Sequence, residues 1–331
     1  MGSDESKGYL IVGLGSMGRR RTRVLRALLP NVNLYGVDGR QDRRQEWSRN
    51  YEGESYECIE AAISAHDICA VFVCTSPESH ASIIKYCLMK NLNVFSEINL
   101  LADMYKENIL LAKEKKRVLF LSSTPMYKKE IEVIKKTVCS SKKNVFYQYH
   151  VGQYLPDWHP WEKFNDFFVG KKETNGCREI FAIEMPWILD TFGEITEYHL
   201  IADNITNLNI NFPDGYLMLV KHKNGNSGII GFDVACRHAI RRFEAYSEDI
   251  YIEWHGKPEN LIVRNTETGE LEYPCKQELY DAIEGYSELI NEQAYIEEVK
   301  SFFNVMEKKE EARYSFDKDY LLLKMLDELG I

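Results

Sequence analysis

The sequence predicts an α/β protein of two domains. Strand and helix patterns alternate through residues 9–121, which is typical of a parallel sheet with helices on both faces. Strand-like segments dominate the second half, and the turn signal Asn224-Gly225 between two of them predicts antiparallel strands. The length of 331 residues fits this division, at roughly 150 residues per domain.

The composition is that of a globular chain and excludes several classes of protein. Hydrophobic residues make up 44% and charged residues 28% of the sequence, which argues against disorder. The formal charge of −10 argues against a nucleic-acid partner, because such proteins usually carry a basic patch. The longest apolar runs, such as 70–74, are too short to cross a bilayer, so no membrane partner is expected.

Cysteine usage indicates a reduced compartment. The eight cysteines include no C-x-x-C pair, so neither a metal site nor a dithiol redox motif is predicted. No secretory signal opens the sequence. We therefore expect a cytoplasmic protein.

Residues 9–38 have the pattern of a dinucleotide-binding unit. The apolar run 9–12 predicts a buried strand, and 19–29 predicts a helix with apolar residues on one side and arginines on the other. Residues 33–37 predict a second strand that ends in Asp38. Between the first strand and the helix lie the motif residues Gly13, Gly15, Ser16, Met17 and Gly18.

Each glycine of this G-x-G-x-x-G motif has a physical role. Gly13 permits a tight turn, Gly15 lets backbone N–H groups approach a pyrophosphate, and Gly18 lets the helix pack close to the strand. Asp38 would accept hydrogen bonds from the adenosine ribose. The complete context predicts a dinucleotide cofactor rather than a glycine-rich turn without a ligand.

Asp38 favours NAD over NADP, because a carboxylate repels a 2′-phosphate. Arg40, Arg43 and Arg44 follow closely and leave NADP possible, since they could pair with that phosphate. The alternative for these arginines is a solvated helix start.

The alternation continues to residue 121. Helices are predicted over 59–65, 80–90 and 104–115, and strands over 68–74, 93–96 and 118–121. Ligands of such sheets bind at the carboxyl ends of the strands. We therefore expect the loops 75–80 and 97–99 to lie near the cofactor.

Three segments resemble the glucose–fructose oxidoreductase / inositol dehydrogenase / MocA (Gfo/Idh/MocA) family: GLGSMG, CTSPESH and VFSEI. The resemblance implies a Rossmann domain joined to an α/β domain with an open, mostly antiparallel sheet. It also implies hydride transfer between NAD(P) and a carbon of a sugar, inositol or nucleotide-activated sugar. A homodimer or homotetramer formed through the C-terminal sheet is a further implication.

By the same resemblance, Thr75, Pro77 and His80 line the cofactor site, and Glu97 lies near the nicotinamide ribose. From the residues alone, His80 could equally be a helix-cap histidine. The family usually has Glu-Lys-Pro at 97–99, and its lysine touches the reacting hydroxyl. Here that position is Ile98, which cannot exchange a proton.

The family's D-x-x-x-H helix is the second point of departure. Counted from Gly176, the histidine position falls on Glu184. Counted back from Gly193, it falls on Ile183. Neither count supplies the histidine, so a non-standard acid/base is expected.

An aromatic loop at the start of the second domain offers replacements. His159 could exchange a proton near neutral pH, with Tyr154 as another candidate. Trp158 and Trp161 could stack on a sugar ring. The alternatives are a structural hydrogen bond for His159 and core or interface packing for the tryptophans.

A second candidate group lies at and within the predicted helix 180–192. Glu184 could be a base with a pKa raised by burial, and Glu179 is a further catalytic candidate. Arg178 could hold a substrate carboxylate or phosphate, or it could pair with a glutamate and so fix the helix. The basic segment 237–242 could be solvated or could attract an anionic sugar.

We expect an NAD(P)-binding Rossmann domain over 1–125 and a substrate-binding and oligomerisation domain over 126–331. Helices near 295–308 and 317–329 would pack on the second sheet or on the first domain. The favoured function is an NAD(P)-dependent oxidoreductase acting on a sugar or nucleotide-activated sugar. The alternatives are an NAD-using epimerase, lyase or glycosidase, and a catalytically inactive ligand sensor or scaffold.

Overall fold

The computed structural model describes residues 7–158, 163–276 and 292–331. Contacts within the chain define two compact units. The first joins residues up to 123 with 295–323, and the second joins 124–294 with 324–331. The first unit therefore ends close to the boundary predicted at 125, but it also takes a segment from the predicted second domain.

The first unit is built on a six-stranded parallel sheet. Its strands are β1 (Gly8–Val12), β2 (Leu34–Val37), β3 (Glu54–Tyr56), β4 (Ile68–Val73), β5 (Asn93–Ser96) and β6 (Leu119–Leu121). Its helices are α1 (Ser16–Leu28), α2 (Gln41–Tyr51), α3 (Ile59–Ala65), α4 (Pro77–Met89) and α5 (Tyr105–Lys115). The strand order β3-β2-β1-β4-β5-β6 is that of a Rossmann sheet, so this part of the predicted fold is confirmed.

Helix α1 buries two of its arginines in addition to its apolar side. Val24 and Leu25 are buried as predicted, but Arg20 and Arg21 are also buried, with 2% and 0% exposure. Buried carboxylates of the same unit contact Arg21, and the ring of Tyr295 contacts Arg20. These partners are distant in sequence, so the pattern within the helix does not reveal that Arg20 and Arg21 are buried.

The second unit is built on an eight-stranded, mostly antiparallel sheet. Its strands are β7 (Phe146–Gly152), β8 (Ile195–Asp203), β9 (Gly215–His222), β10 (Ser227–Asp233), β11 (Ile240–Tyr246), β12 (Tyr251–Trp254), β13 (Ile262–Arg264) and β14 (Leu271–Glu272). Their order is β14-β13-β12-β11-β7-β10-β9-β8. Among the described strands of this second sheet, only the β10–β7 pair is parallel. The helices α6 (Lys129–Ser140) and α7 (Gly176–Phe192) belong to the same unit.

The two faces of this sheet have different environments. Helix α7 covers one face, where Trp187 packs edge-to-face on Tyr149 and Phe192 stacks on Tyr147. We call the opposite side the outer face. It carries apolar side chains that are 41–56% exposed: Phe146, Ile201, Leu217, Leu219, Ile229 and Tyr246.

Two further helices follow, α8 (Glu292–Met306) and α9 (Phe316–Leu329). Helix α8 packs on the first sheet, because the ring of Phe302 meets Phe72, Phe95 and Phe120 edge-to-face. This contact explains why 295–323 joins the first unit. No helix in the described ranges is long and apolar enough to cross a membrane.

Candidate active site

The glycine motif forms a backbone cradle between β1 and α1. Gly13 has a φ of +92°, and a Cβ there would lie 2.8 Å from backbone atoms of Cys74 and Thr75. A Cβ at Gly18 would overlap the carbonyl oxygen of Gly13. Both positions therefore require glycine, for the turn and for the close approach of helix to strand.

The N-terminus of α1 is suited to an anion. Its N-cap is Gly15, with no side-chain capping bond and no acidic residue in the first turn. A Cβ at Gly15 would have only the Arg43 guanidinium within 4 Å. Backbone N–H groups and the positive end of the helix dipole are thus presented where a pyrophosphate would bind.

Asp38 lies at the end of β2 and closes this cradle. Its carboxylate accepts hydrogen bonds from the backbone N–H groups of Leu14 and Arg40, both at 2.9 Å. The Arg40 guanidinium pairs with Asp42, with 2.6 Å between NH2 and Oδ2. The Arg44 guanidinium donates to the Asp38 carbonyl at 2.6 Å. Local acceptors thus hold two of the arginines that could have bound a 2′-phosphate.

His80 is a buried residue that ties the two loops together. Its Nε2 lies 2.9 Å from the carbonyl oxygen of Thr75 and must donate to it. Its Nδ1 lies 2.7 Å from the amide oxygen Oδ1 of Asn99. Burial lowers the pKa of His80, and the hydrogen bonds to Thr75 and Asn99 act in the opposite direction.

This geometry favours a structural role for His80 over direct contact with a cofactor. Pro77 is buried at the first turn of α4, next to the same loop. The Thr75 hydroxyl accepts a hydrogen bond from Ser79. The loop after β4 is therefore held rigid by its own residues.

Glu97 belongs to a buried charge network that sequence reasoning missed. Arg21 donates to Glu97 with 2.5 Å between Nε and Oε1, and to Glu298 with 2.7 Å between NH2 and Oε2. Burial alone would lower the pKa of Arg21, but the two carboxylates reverse this and hold it above its ordinary value. Glu97 therefore supports the loop after β5. One sequence feature could have indicated this network. Arg21 lies near Val24 and Leu25 in α1, and no residue of that helix is acidic.

In the second unit, the carboxylate of Glu184 is fully engaged. Its Oε1 pairs with Arg241 at 2.7 Å, and its Oε2 accepts from Tyr149 at 2.6 Å and from Trp187 at 2.8 Å. Its side chain is 1% exposed. These contacts favour a structural ion pair over the acid/base role predicted for Glu184.

Glu179 has the opposite environment on the same helix. Its Oε2 is buried without a hydrogen-bond partner among the described residues. Burial raises the pKa of Glu179 from 4.5 to about 8. A carboxyl group with this pKa can give or take a proton near neutral pH. Counted back from Gly193, Glu179 also occupies the aspartate position of the D-x-x-x-H pattern.

The remaining candidates have different surroundings. Arg178 is 4% exposed and bonds to Asp327 and to the main-chain oxygen of Ile331, which favours an ion pair, here with an aspartate, over a substrate anion. Tyr154 lies under the Arg237 guanidinium at 3.8 Å from its ring centroid. Trp158 donates to the carbonyl of Gln153 and packs near Gly176. His159 and Trp161 lie outside the described residues.

Lys128 is a further residue that the sequence analysis missed. It directly precedes α6, and burial followed by the charge of Arg241 lowers its pKa to about 8. It is one of many lysines in the sequence, and its short-range pattern does not distinguish it from the exposed Lys129.

The strand order and the glycine cradle define the class of the first unit, a dinucleotide-binding Rossmann domain. Residues 7–123 match the family model GFO_IDH_MocA, described as an oxidoreductase family with an NAD-binding Rossmann fold. The match covers the dinucleotide-binding part of the chain, which therefore resembles this family. The resemblance, the NAD cofactor and the assignment as an NAD(P)-dependent dehydrogenase are confirmed. A search of curated proteins gives no match.

Solved structures share the whole fold. Levoglucosan dehydrogenase in complex with NADH has a TM-score of 0.80 at 15% identity and covers 97% of this chain and 95% of its own. The WlbA dehydrogenase of Chromobacterium violaceum, in complex with NADH and UDP-GlcNAcA, has a TM-score of 0.78 at 12% identity, with coverages of 99% and 94%. UDP-N-acetylglucosamine 3-dehydrogenase GnnA of Acidithiobacillus ferrooxidans has 0.74 at 13%, with coverages of 97% and 95%. At these identities the likeness establishes the fold.

Proposed function

We propose that this oxidoreductase transfers hydride between NAD and a carbon of a sugar or nucleotide-activated sugar, with Glu179 as its acid/base. The observation that carries the proposal is the Glu179 carboxyl group, with its raised pKa and unbonded Oε2. The sugar class is supported by the similar structures, whose names specify levoglucosan and UDP-N-acetylglucosamine dehydrogenases.

The first unit would hold the cofactor. The N–H groups at the start of α1 would bind the pyrophosphate, and Gly13 and Gly18 keep that surface open. Asp38 would accept from the adenosine ribose, and the arginines paired around it favour NAD over NADP. Asp38 already accepts two backbone N–H groups, so its orientation is fixed before a ligand arrives.

The second unit would supply the proton chemistry. Oxidation of an alcohol requires a base for the hydroxyl proton, and reduction of a ketone requires an acid for the developing alkoxide. A bound nicotinamide would accept or supply the hydride. Because its pKa is about 8, Glu179 is mostly protonated at pH 7 and is best suited to donate its proton in the reductive direction.

The substitution Glu179→Gln tests this proposal. We expect kcat to fall at least about 100-fold, the usual range for loss of a general acid or base, with NADH affinity unchanged. The measurements are steady-state kinetics on a panel of sugars and UDP-sugars with their keto forms, and NADH titration. Glu173→Gln removes an exposed carboxylate just before α7 and is the matched control.

Three results would overturn the proposal. One is wild-type protein that fails to bind NADH, and a second is bound NADH with no turnover of any panel member, which would favour the ligand sensor. The third is an E179Q variant with wild-type kcat and an unchanged pH profile. A wild-type pH profile that bends near 8 and is flattened in E179Q supports the assignment.

We also propose that the outer face of the second sheet joins copies of this chain. Leu219 and Ile229 lie opposite each other on neighbouring strands and are 52% and 44% exposed. Contiguous exposed apolar side chains on a sheet are typical of a protein interface. These exposed side chains are spread over strands β7 to β11, which suits contact with a second, identical sheet.

A further inference from the structure

Lys128 is a buried cation in the second unit without a direct counter-charge. Its side chain is 7% exposed, and no hydrogen bond or ion pair joins its Nζ to any residue that the structure describes. The Nζ atom lies 5.7 Å from the centroid of the Trp254 ring. Burying an ammonium without hydrogen-bond acceptors carries a high cost in free energy.

A second cation meets the same ring. The Arg241 guanidinium carbon lies 5.8 Å from the Trp254 centroid. Its NH1 contacts Glu184 and Tyr149, whereas its Nε is buried without a hydrogen-bond partner in the described part of the chain. Two cations with unused donors therefore lie near the same buried ring of the second unit.

The carboxylates of Glu130 and Glu184 offset the two positive charges, but neither has a hydrogen bond from Lys128 among the described residues. Burial and then Arg241 lower the pKa of Lys128, and these outweigh the opposite effects of Glu130 and Glu184. Glu184 is already held by Arg241, Tyr149 and Trp187. An additional anion at this point would give Lys128 the acceptors that it lacks.

We propose that Lys128 and Arg241 form a subsite for the anionic group of a substrate, a carboxylate or a phosphate carried by a sugar. This inference rests on the proposed function, because it treats the anion as part of the sugar substrate. Trp254 is fully buried, with the two cations 5.7 Å and 5.8 Å from its ring centroid. The proposed contacts are therefore to the ammonium and guanidinium groups rather than to the ring.

Binding of D-glucuronate, glucose 6-phosphate and uncharged glucose to the full chain tests the subsite. Isothermal titration should show saturable binding of at least one of the two anions and tighter binding of it than of glucose. For Lys128→Met we expect an affinity at least about tenfold lower, as for loss of a charge-assisted hydrogen bond. Lys129→Met removes the adjacent exposed lysine and should bind as wild type does.

The two anions identify the source of the charge. Preference for glucuronate indicates a sugar acid, and preference for glucose 6-phosphate indicates a phosphorylated sugar. Equal affinity of the wild type and K128M would overturn the subsite, as would wild-type protein that does not prefer either anion to glucose. Thermal melting checks the fold, and Lys128→Gln serves as the second variant.

The outcome is separable from that of the proposed function. The titrations use no nicotinamide and no turnover, so anion binding is measured even if NADH does not bind. Suppose that K128M loses anion binding while E179Q keeps full hydride transfer. The first result would support the subsite, and the second would rule out Glu179 as the acid/base. Conversely, wild-type protein that binds NADH and turns over a sugar, but prefers neither anion to glucose, would support the oxidoreductase function and overturn the subsite.

Discussion

Glu179 and Glu184 lie on the same helix, and their neighbours give them opposite properties. Glu184 has three donors for its two oxygens, and Glu179 has a buried oxygen with none among the described residues. The sequence identified both as charged residues bordering an apolar helix. Their roles depend on Arg241 and Tyr149, which are far away in sequence, so the residue pattern alone could not separate them.

For Glu184→Gln we predict a loss of about 3 kcal/mol in the free energy of unfolding, because Arg241 is left buried beside a neutral amide. The measurement is urea denaturation at pH 7. Replacing both partners, in Glu184→Gln with Arg241→Met, should recover part of this loss. A single variant as stable as wild type would show that the pair contributes nothing to the fold.

The stability contributed by Lys128 should depend on pH in a defined direction. Its pKa is about 8 in the folded protein and 10.5 ordinarily, so the unfolded chain binds more protons between these values. The cost is therefore fully present below pH 8 and disappears as the pH rises towards 10.5. Arg241, Glu130 and Glu184 are the charged groups that set this pKa.

We predict that Lys128→Met is more stable than wild type at pH 7 by up to about 3 kcal/mol. The difference should shrink between pH 8 and 10. Denaturation of both proteins across this range measures it, and Lys129→Met should show no such trend. A pH-independent difference would mean that Lys128 titrates at its ordinary value.

At the scale of elements, regular hydrophobic patterns were sufficient to predict the positions of most strands of the first sheet. Strands β1, β2, β4, β5 and β6 fall where apolar runs predicted them. The edge strand β3 has three residues and partly exposed side chains, so its sequence carries little hydrophobic signal. The strand-like segment 241–253 forms two strands, β11 and β12, because Ser247 and Asp249 form a turn held by side-chain hydrogen bonds.

More of the candidate site could be predicted from the sequence in the first unit than in the second. The glycine cradle and Asp38 depend on local sequence, so the motif was sufficient to place them. Arg21, Glu298 and Lys128 gain their properties from tertiary contacts. Composition and spacing do not encode those contacts, and residues of this kind are missed by pattern reasoning.

At the scale of the whole molecule, the outer face of the second sheet should set the oligomeric state. We predict that Leu219→Lys with Ile229→Lys converts an oligomer to a monomer, because paired lysines would be buried against a second copy. Size-exclusion chromatography with light scattering measures the mass. Leu321→Lys, at a 69% exposed leucine of α9, is the control. A wild-type monomer at micromolar concentration would contradict the proposal.

The Arg21–Glu97–Glu298 network also has a consequence for how the protein is made. All six strands of the first sheet have been synthesised once residue 121 is translated, but Glu298 and Phe302 are added only after β14, the last described strand of the second sheet. Until then, Arg21 lacks one of its carboxylates, and the rings of Phe72, Phe95 and Phe120 lack their cover. The nascent Rossmann sheet must therefore wait through the translation of the entire second sheet before its core is complete, which makes this interval the period of greatest exposure to aggregation and chaperone binding.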